Sequence, residues 1–341
     1  MFALLVIRTA AATGWRGTAG YRSDRYSPFV EPELVTFASA GGSCRGVLYR
    51  PKNTELERLP IIVMAHGMSG TRLTQYDRRA RRLVESGAAV LDFDPRFIGT
   101  SPGEPRQRLD PYTSLLDMRS AVAYARSIDG IDRDDVGLYG SSLGCGVAFA
   151  VAAEDPAIRA MALDVPAPDG LRLTPAPMTQ RPILAAAIVR DIVARSHHRQ
   201  PVTIPMFGEV GSGAVLQYDV AGFWKAMEEL EGITWSENRT VGTHPQTGEW
   251  RNAATALELL SLLRFRPALK ARNVHCPVLA HLTKDDRVVP YRPTRRALHQ
   301  VDGADVRTLQ GGHFGPFYGE GFQTTVGAQI EFFARTLIRS G

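Results

Sequence analysis

The sequence predicts an α/β protein: a mostly parallel, doubly wound sheet, preceded by an antiparallel hairpin and interrupted by a helical insertion. Three observations carry that expectation. Short apolar runs alternate with segments of helical period from residue 59 to residue 166 and again from residue 275 onward, the rhythm of βαβ units. Residues 167–272 interrupt that rhythm with segments of helical character. A small-residue pentapeptide, Gly140-Ser141-Ser142-Leu143-Gly144, stands where a buried strand passes directly into a helix.

The elements follow in order. From Glu33, ELVTFASAGGSCRGVLYRP holds two alternating apolar runs around a Gly-Gly pair, a hairpin ending at Pro51. LPIIVMAHG, AAVLDFDPR, DVGLYGS and IRAMALDVPAP are continuous apolar runs suited to strands buried on both faces. Between them lie the helical segments QYDRRARRLVESG, SLLDMRSAVAYARSI and LGCGVAFAVAAEDP. The alternation resumes with HCPVLAHLTKDDRVVP as strand and loop, RPTRRALHQV as helix, ADVRTLQGG as strand and TTVGAQIEFFARTLI as a closing amphipathic helix. The interruption contains PILAAAIVRDIVARS, YDVAGFWKAMEELEG and ATALELLSLLRF. It divides the chain into a core of residues 31–166 and 273–341 and a lid of residues 167–272, after a leader over residues 1–30.

Composition narrows the function classes. At 341 residues, 44% hydrophobic and 22% charged, the chain holds enough apolar mass for a large core and is not of the disordered class. The formal charge of +5 comes from scattered arginines, with one dense group at Arg78, Arg79, Arg81 and Arg82. A solvated helix face accounts for that group better than a nucleic-acid site does. Cys44, Cys145 and Cys276 are odd in number and widely spaced, which argues against a disulfide framework or a zinc site and for a reducing, cytoplasmic setting. The opening MFALLVIRTAA is too short to span a bilayer and meets Arg8 early, a poor signal peptide. No membrane partner is expected, and a homodimer is compatible with all of this.

The pentapeptide carries the chemistry. A sharp strand-to-helix turn holds its central residue in a strained conformation and requires small neighbours, which is why Gly-x-Ser-x-Gly is spaced as it is. Ser142 stands at the centre and Ser141 beside it, bonded locally. A serine hydroxyl needs a base, and the base an orienting acid. His313 follows the last predicted strand on the glycine-flanked loop LQGGHFGPFYG, and the acid belongs to LTKDDRVVP after the preceding strand. Asp285 and Asp286 compete for that part; the register usual for such loops, four residues before Pro290, favours Asp286. The oxyanion would be held by backbone N–H groups of Leu143, after the nucleophile, and of Met68, in the loop His66-Gly67-Met68-Ser69-Gly70. His66 itself reads as structural.

With these parts in order the chain resembles the α/β-hydrolase superfamily over about residues 33–340. It is similar to the lidded bacterial hydrolases related to serine aminopeptidases and X-Pro dipeptidyl-peptidase-like esterases, through FDPRFIGTSPGEPRQ, DPYTSLLDMRSAVAYARS and GGHFGPFYGEGF. The resemblance implies a serine hydrolase acting on a carboxylic ester, lactone or thioester of a small, largely apolar acyl substrate, without metal or cofactor. Acyl transfer or aminopeptidase-type cleavage by the same residues are the alternatives, and a hydrolase-like binding protein without catalysis a remote one. An aminopeptidase would need an acid for the substrate amine, for which Glu228, Glu229 and Glu231 are loosely placed. Phe223, Trp224 and Trp235 are either substrate-lining groups or the core of the lid itself.

Overall fold

The computed structural model describes residues 30–52, 54–174 and 176–338. The leader expected over residues 1–30 lies, but for its last residue, outside them. Strands β1 (Val30–Ser39) and β2 (Gly42–Pro51) form the hairpin, paired from Val30 with Pro51 to Ser39 with Gly42. The core continues through β3 (Leu59–Ala65), α1 (Asp77–Leu83), β4 (Ala89–Asp94), α2 (Pro111–Ala125), β5 (Ile131–Ser141), α3 (Leu143–Glu154) and β6 (Ile158–Asp164). The intervening segment holds α4 (Arg181–Ser196), β7 (Thr203–Ile204), α5 (Val220–Glu228), β8 (Thr234–Trp235), β9 (Val241–His244), β10 (Gly248–Arg251), β11 (Ala254–Thr255) and α6 (Leu259–Arg264). The chain then returns through β12 (Val278–Thr283), α7 (Tyr291–Leu298), β13 (Asp305–Leu309) and α8 (Gly319–Leu337).

Eight strands make one sheet in the order β1-β2-β4-β3-β5-β6-β12-β13. The hairpin joins it antiparallel through β2 and β4, and the pairings from β4 to β13 are parallel. Strands β3, β4 and β12 are buried along their whole length, because helices cover both faces of a parallel sheet. The two-residue period sorts the side chains: Ile61 and Val63 pack with α2 and α3 on one face, and Ile62 and Met64 pack with α1 and α8 on the other. The switch from antiparallel hairpin to doubly wound sheet therefore follows the sequence pattern. The inserted segment carries three helices within the segments of helical period, although Ala254–Thr255 at the start of the third form strand β11, and in addition two small antiparallel sheets, β10-β9-β8 and β11-β7. Strands of two to four residues are too short to show a period in sequence.

Arg79 departs from the solvated face expected of its group. Arg78, Arg81 and Arg82 pair with Glu229, Asp77 and Glu85 toward the surface, but Arg79 is 1% exposed because α1 lays that side against α8. Its Nη1 lies 3.1 Å from Asp164 Oδ2 and donates to Gln329 Oε1 at 2.7 Å, while Nη2 donates to the Pro316 carbonyl at 2.6 Å. Asp164 also accepts from Tyr139 and Gln329 and bonds His281 Nδ1, each at 2.9 Å. Burial alone would raise the Asp164 carboxyl; the Arg79 guanidinium and the His281 bond reverse this and hold it below its ordinary value. Removing one partner of such a pair leaves a buried charge uncompensated. Arg79→Leu is therefore expected to lower unfolding free energy by about 3–5 kcal/mol, read from urea denaturation; a loss below about 1 kcal/mol would place the pair outside the stabilising core.

Candidate active site

Ser142 sits between β5 and α3 with φ 48° and ψ −118°, a region that side chains other than glycine rarely enter. Its N–H donates to the Asp164 carbonyl at 2.9 Å, and its own carbonyl accepts from Cys145 and Ala167 at 3.0 Å. Those three bonds hold the strain. A Cβ at position 144 would lie 2.2 Å from the Ala65 carbonyl oxygen, and one at position 140 would lie 2.7 Å from Cys145 Cα. The two glycines of the pentapeptide are thus demanded by backbone passing on either side of the turn. Ser141 is buried and bonds not locally, as expected, but across the fold, to the Tyr76 hydroxyl and to the Gly67 N–H at 3.1 Å.

His313 Nε2 lies 2.9 Å from Ser142 Oγ, and its Nδ1 lies 2.8 Å from Asp286 Oδ2. The His313 and Asp286 side chains are 2% and 3% exposed. The other Asp286 oxygen accepts from Val288 and Val289 N–H at 2.8 and 2.7 Å. A carboxylate so held keeps the imidazole proton on Nδ1 and leaves Nε2 to accept from the serine hydroxyl. Asp285 faces elsewhere: its Oδ2 accepts the N–H groups of Gly311 and Gly312 at 3.3 and 3.0 Å, bracing the loop that carries His313. The doubled aspartate is one side chain for the imidazole and one for the backbone beneath it.

A third carboxylate has no signal in the sequence. Asp219, in left-handed backbone (φ 59°, ψ 15°) at the start of α5, accepts the His313 N–H at 3.0 Å and the Arg287 N–H at 3.2 Å. One oxygen from the inserted segment thereby ties the loop of Asp286 to the loop of His313.

Leu143 is the first residue of α3, so its N–H has no acceptor within the helix. Met68 belongs to the turn after β3, closed by Gly70 N–H to the Gly67 carbonyl at 2.9 Å. The Gly67 N–H is already committed to Tyr76 at 2.8 Å and to Ser141 at 3.1 Å. His66 is structural as expected: Nε2 meets Asp92 Oδ1 at 2.5 Å, Nδ1 lies 3.3 Å from the Gly70 carbonyl, and the ring stacks on Tyr76 at 4.0 Å. Cys145 is buried, and burial with nearby Asp164 pushes its thiol well above the ordinary range, which removes it as a competing nucleophile.

Ser142, His313, Met68 and Leu143 all open onto a cavity of about 690 Å³, the size of a drug-like ligand site. Leu184, Phe207, Phe223, Trp250 and Phe314 are among its walls, and among the described residues no Asp or Glu lines it. Of the three aromatics considered from sequence, Phe223 is a wall residue. Trp224 and Trp235 are not; they pack on Trp250, with centroids 6.2 and 5.9 Å away, as the core of the inserted segment. Among the described tryptophans Trp250 is the one that lines the cavity, with its indole N–H on the Ser69 carbonyl at 3.1 Å. The short strand β10 that aims it is invisible to periodicity. No group of three His, Cys, Asp or Glu side chains among the described residues is arranged to hold a metal ion.

The family model described as serine aminopeptidase, S33, matches residues 57–310. The quorum-quenching protein AidA of Acinetobacter baumannii (strain MDR-ZJ06) is 33% identical over 306 residues, 89% of this chain and 95% of that protein. The thiohydrolase aneE of Aspergillus aculeatus is 26% identical over 282 residues, 80% of this chain and 84% of its own. GrgF of Penicillium sp., named a polyketide transferase, is 25% identical over 280 residues, 82% of this chain and 89% of that protein. Its crystal structure, of an α/β hydrolase, superposes with a TM-score of 0.72 over 90% of this chain and 99% of that one.

Two outcomes follow for a chromogenic ester assay. Asp286→Asn lowers kcat by about 10⁴-fold through the wrong imidazole tautomer, whereas Asp285→Asn, still able to accept from Gly312, costs less than about tenfold; equal losses would refute the division between them. Asp219→Ala lowers kcat by about ten- to a hundredfold with KM near wild type, and Asp219→Asn, which keeps an acceptor oxygen, restores most of it.

Proposed function

The chain belongs to the serine aminopeptidase S33 family of α/β hydrolases, and on that premise we propose that it cleaves carboxylic esters, lactones or thioesters of largely apolar substrates through an acyl-enzyme on Ser142. The observation that carries this reading is the hydrogen-bonded series Ser142–His313–Asp286 at the edge of an apolar cavity that no carboxylate lines among the described residues. His313 takes the hydroxyl proton as Ser142 Oγ attacks the acyl carbon, and Asp286 stabilises the imidazolium. The N–H groups of Met68 and Leu143 receive the oxyanion, an arrangement in which one donor is worth about 3–4 kcal/mol of transition-state stabilisation. Collapse expels the alcohol or thiol with the proton from His313. Water, deprotonated by the same imidazole, then releases the carboxylic acid. Residues 167–272 serve as the lid, their wall residues Phe223 and Trp250 excluding water from the acyl group.

Two features favour acyl–oxygen and acyl–sulfur bonds over free peptide N-termini. Among the described residues the cavity offers no anion for an ammonium group, and the glutamates considered for that part are engaged elsewhere or away from the cavity: Glu228 pairs with Arg239, Glu229 with Arg78 and the Gly319 N–H, and Glu231 is not a wall residue. The thiohydrolase relative supports including thioesters. Transfer to an alcohol acceptor is the second reading, motivated by the polyketide transferase relative; it uses the same acyl-enzyme and differs in what attacks it.

A fluorophosphonate probe followed by mass spectrometry is expected to label Ser142, and Ser142→Ala to lower kcat on p-nitrophenyl esters by about 10⁵–10⁶-fold. Turnover that survives the substitution, or a label on another residue, rejects the mechanism. Activity on aminoacyl amides but on no ester or thioester would move the reading to peptidase.

A further inference from the structure

Helix α4 is the most exposed helix of the inserted segment, and its outward side is apolar. Pro182, Ala186, Val189 and Val193 form one stripe at helical spacing, all exposed, flanked by exposed Ile183 and Ile192. Only Ala187 and Asp191 of its sixteen residues are buried. An outward apolar face on a soluble helix inverts the usual pattern. The face is also continuous with the mouth of the cavity. Leu184 and Ile188 of the same helix are cavity walls, as are Leu171, Met178, Leu260 and Leu263, which are 57, 66, 40 and 50% exposed.

Charge decides what fits this face. Asp191 is bound by Arg195 and by the N–H groups of Val202 and Leu257, and Arg195 also takes Glu258. The helix and the turn after it therefore present Arg181, Arg190 and Arg199 to solvent with no exposed acid among them. A second copy of this chain, docked through the same face, would set these guanidinium groups against their own kind. An apolar stripe rimmed by arginines complements a layer of acyl chains beneath anionic phosphates.

We propose that α4 and the rim of the cavity form a peripheral docking surface for an anionic lipid bilayer, which delivers lipophilic molecules to the cavity mouth. No helix among the described residues is long and apolar enough to cross a membrane, and the proposal departs from the expectation, drawn from the sequence, of no membrane partner. A helix lying in the interface is a different case. The proposal rests on the geometry of the inserted segment and is independent of the chemistry at Ser142.

The test is flotation of the full chain with vesicles of phosphatidylcholine alone and of phosphatidylcholine with phosphatidylglycerol. The wild type is expected to float with the anionic vesicles, less so as salt is raised, and Val189→Asp with Val193→Asp to weaken binding about tenfold or more. The melting curve of the double variant, and its turnover of any water-soluble short-chain ester the wild type accepts, should be unchanged, since neither valine lines the cavity. Absence of flotation with either vesicle, or flotation undiminished in the double variant, overturns the proposal. So does a wild-type dimer in light scattering that the two substitutions dissociate without any vesicle binding, which would make the face a self-association surface.

Discussion

The buried Arg79–Asp164 pair is the constraint on which the site depends. The Asp164 backbone carbonyl receives the Ser142 N–H, while its carboxylate is held by Arg79, Tyr139, His281 and Gln329. The second guanidinium nitrogen of Arg79 holds the Pro316 carbonyl, three residues beyond His313. One ion pair beneath the sheet edge thus connects the serine turn at the end of β5, the histidine loop after β13, the helix α1 and the helix α8. Burying two charges costs several kcal/mol each unless the geometry and the remaining hydrogen bonds are nearly complete, and here both carboxylate oxygens and both terminal guanidinium nitrogens are occupied. The strained turn can persist because this framework over-determines it.

Part of the backbone strain lies around the same place. Ser69, Gln75, Ser142 and Asp219 all have positive φ, from 48° to 81°, and each lines the cavity or touches His313. The inserted segment secures three of these positions. Trp250 holds the Ser69 carbonyl, the Gln75 amide donates to the Ala226 carbonyl, and Asp219 reaches the loops of Asp286 and His313. Its inner side is thus fastened to the loops around the serine while the outer side of α4 is bare.

The fold was legible in sequence because it is written in local patterns. Period-2 alternation in residues 33–51, short apolar runs and 3.6-residue segments each report an element from its own neighbours. Ser142 and His313 were legible for a similar reason: the strand-to-helix turn and the glycine-flanked loop announce themselves within a few residues. The rest was not. Arg79 looks like any surface arginine until α8 packs over it, Trp224, Trp235 and Trp250 are alike in composition, and the strands β8 to β10 are too short to have a period.

What the sequence by itself determined is the order of elements, the place of the serine turn and the residue types available to it, since these depend on sterics and hydrophobic period over ten or fifteen residues. Loop register in the sequence favoured Asp286, and tertiary structure showed which aspartate faces His313, because Asp285 and Asp286 point in different directions from one loop. Tertiary structure also decided that Asp219 joins the histidine and acid loops, and that α4 turns its apolar stripe outward, since both follow from where distant segments come to rest. Charges and hydrogen bonds act through space at about 3 Å, and a linear text does not carry that distance.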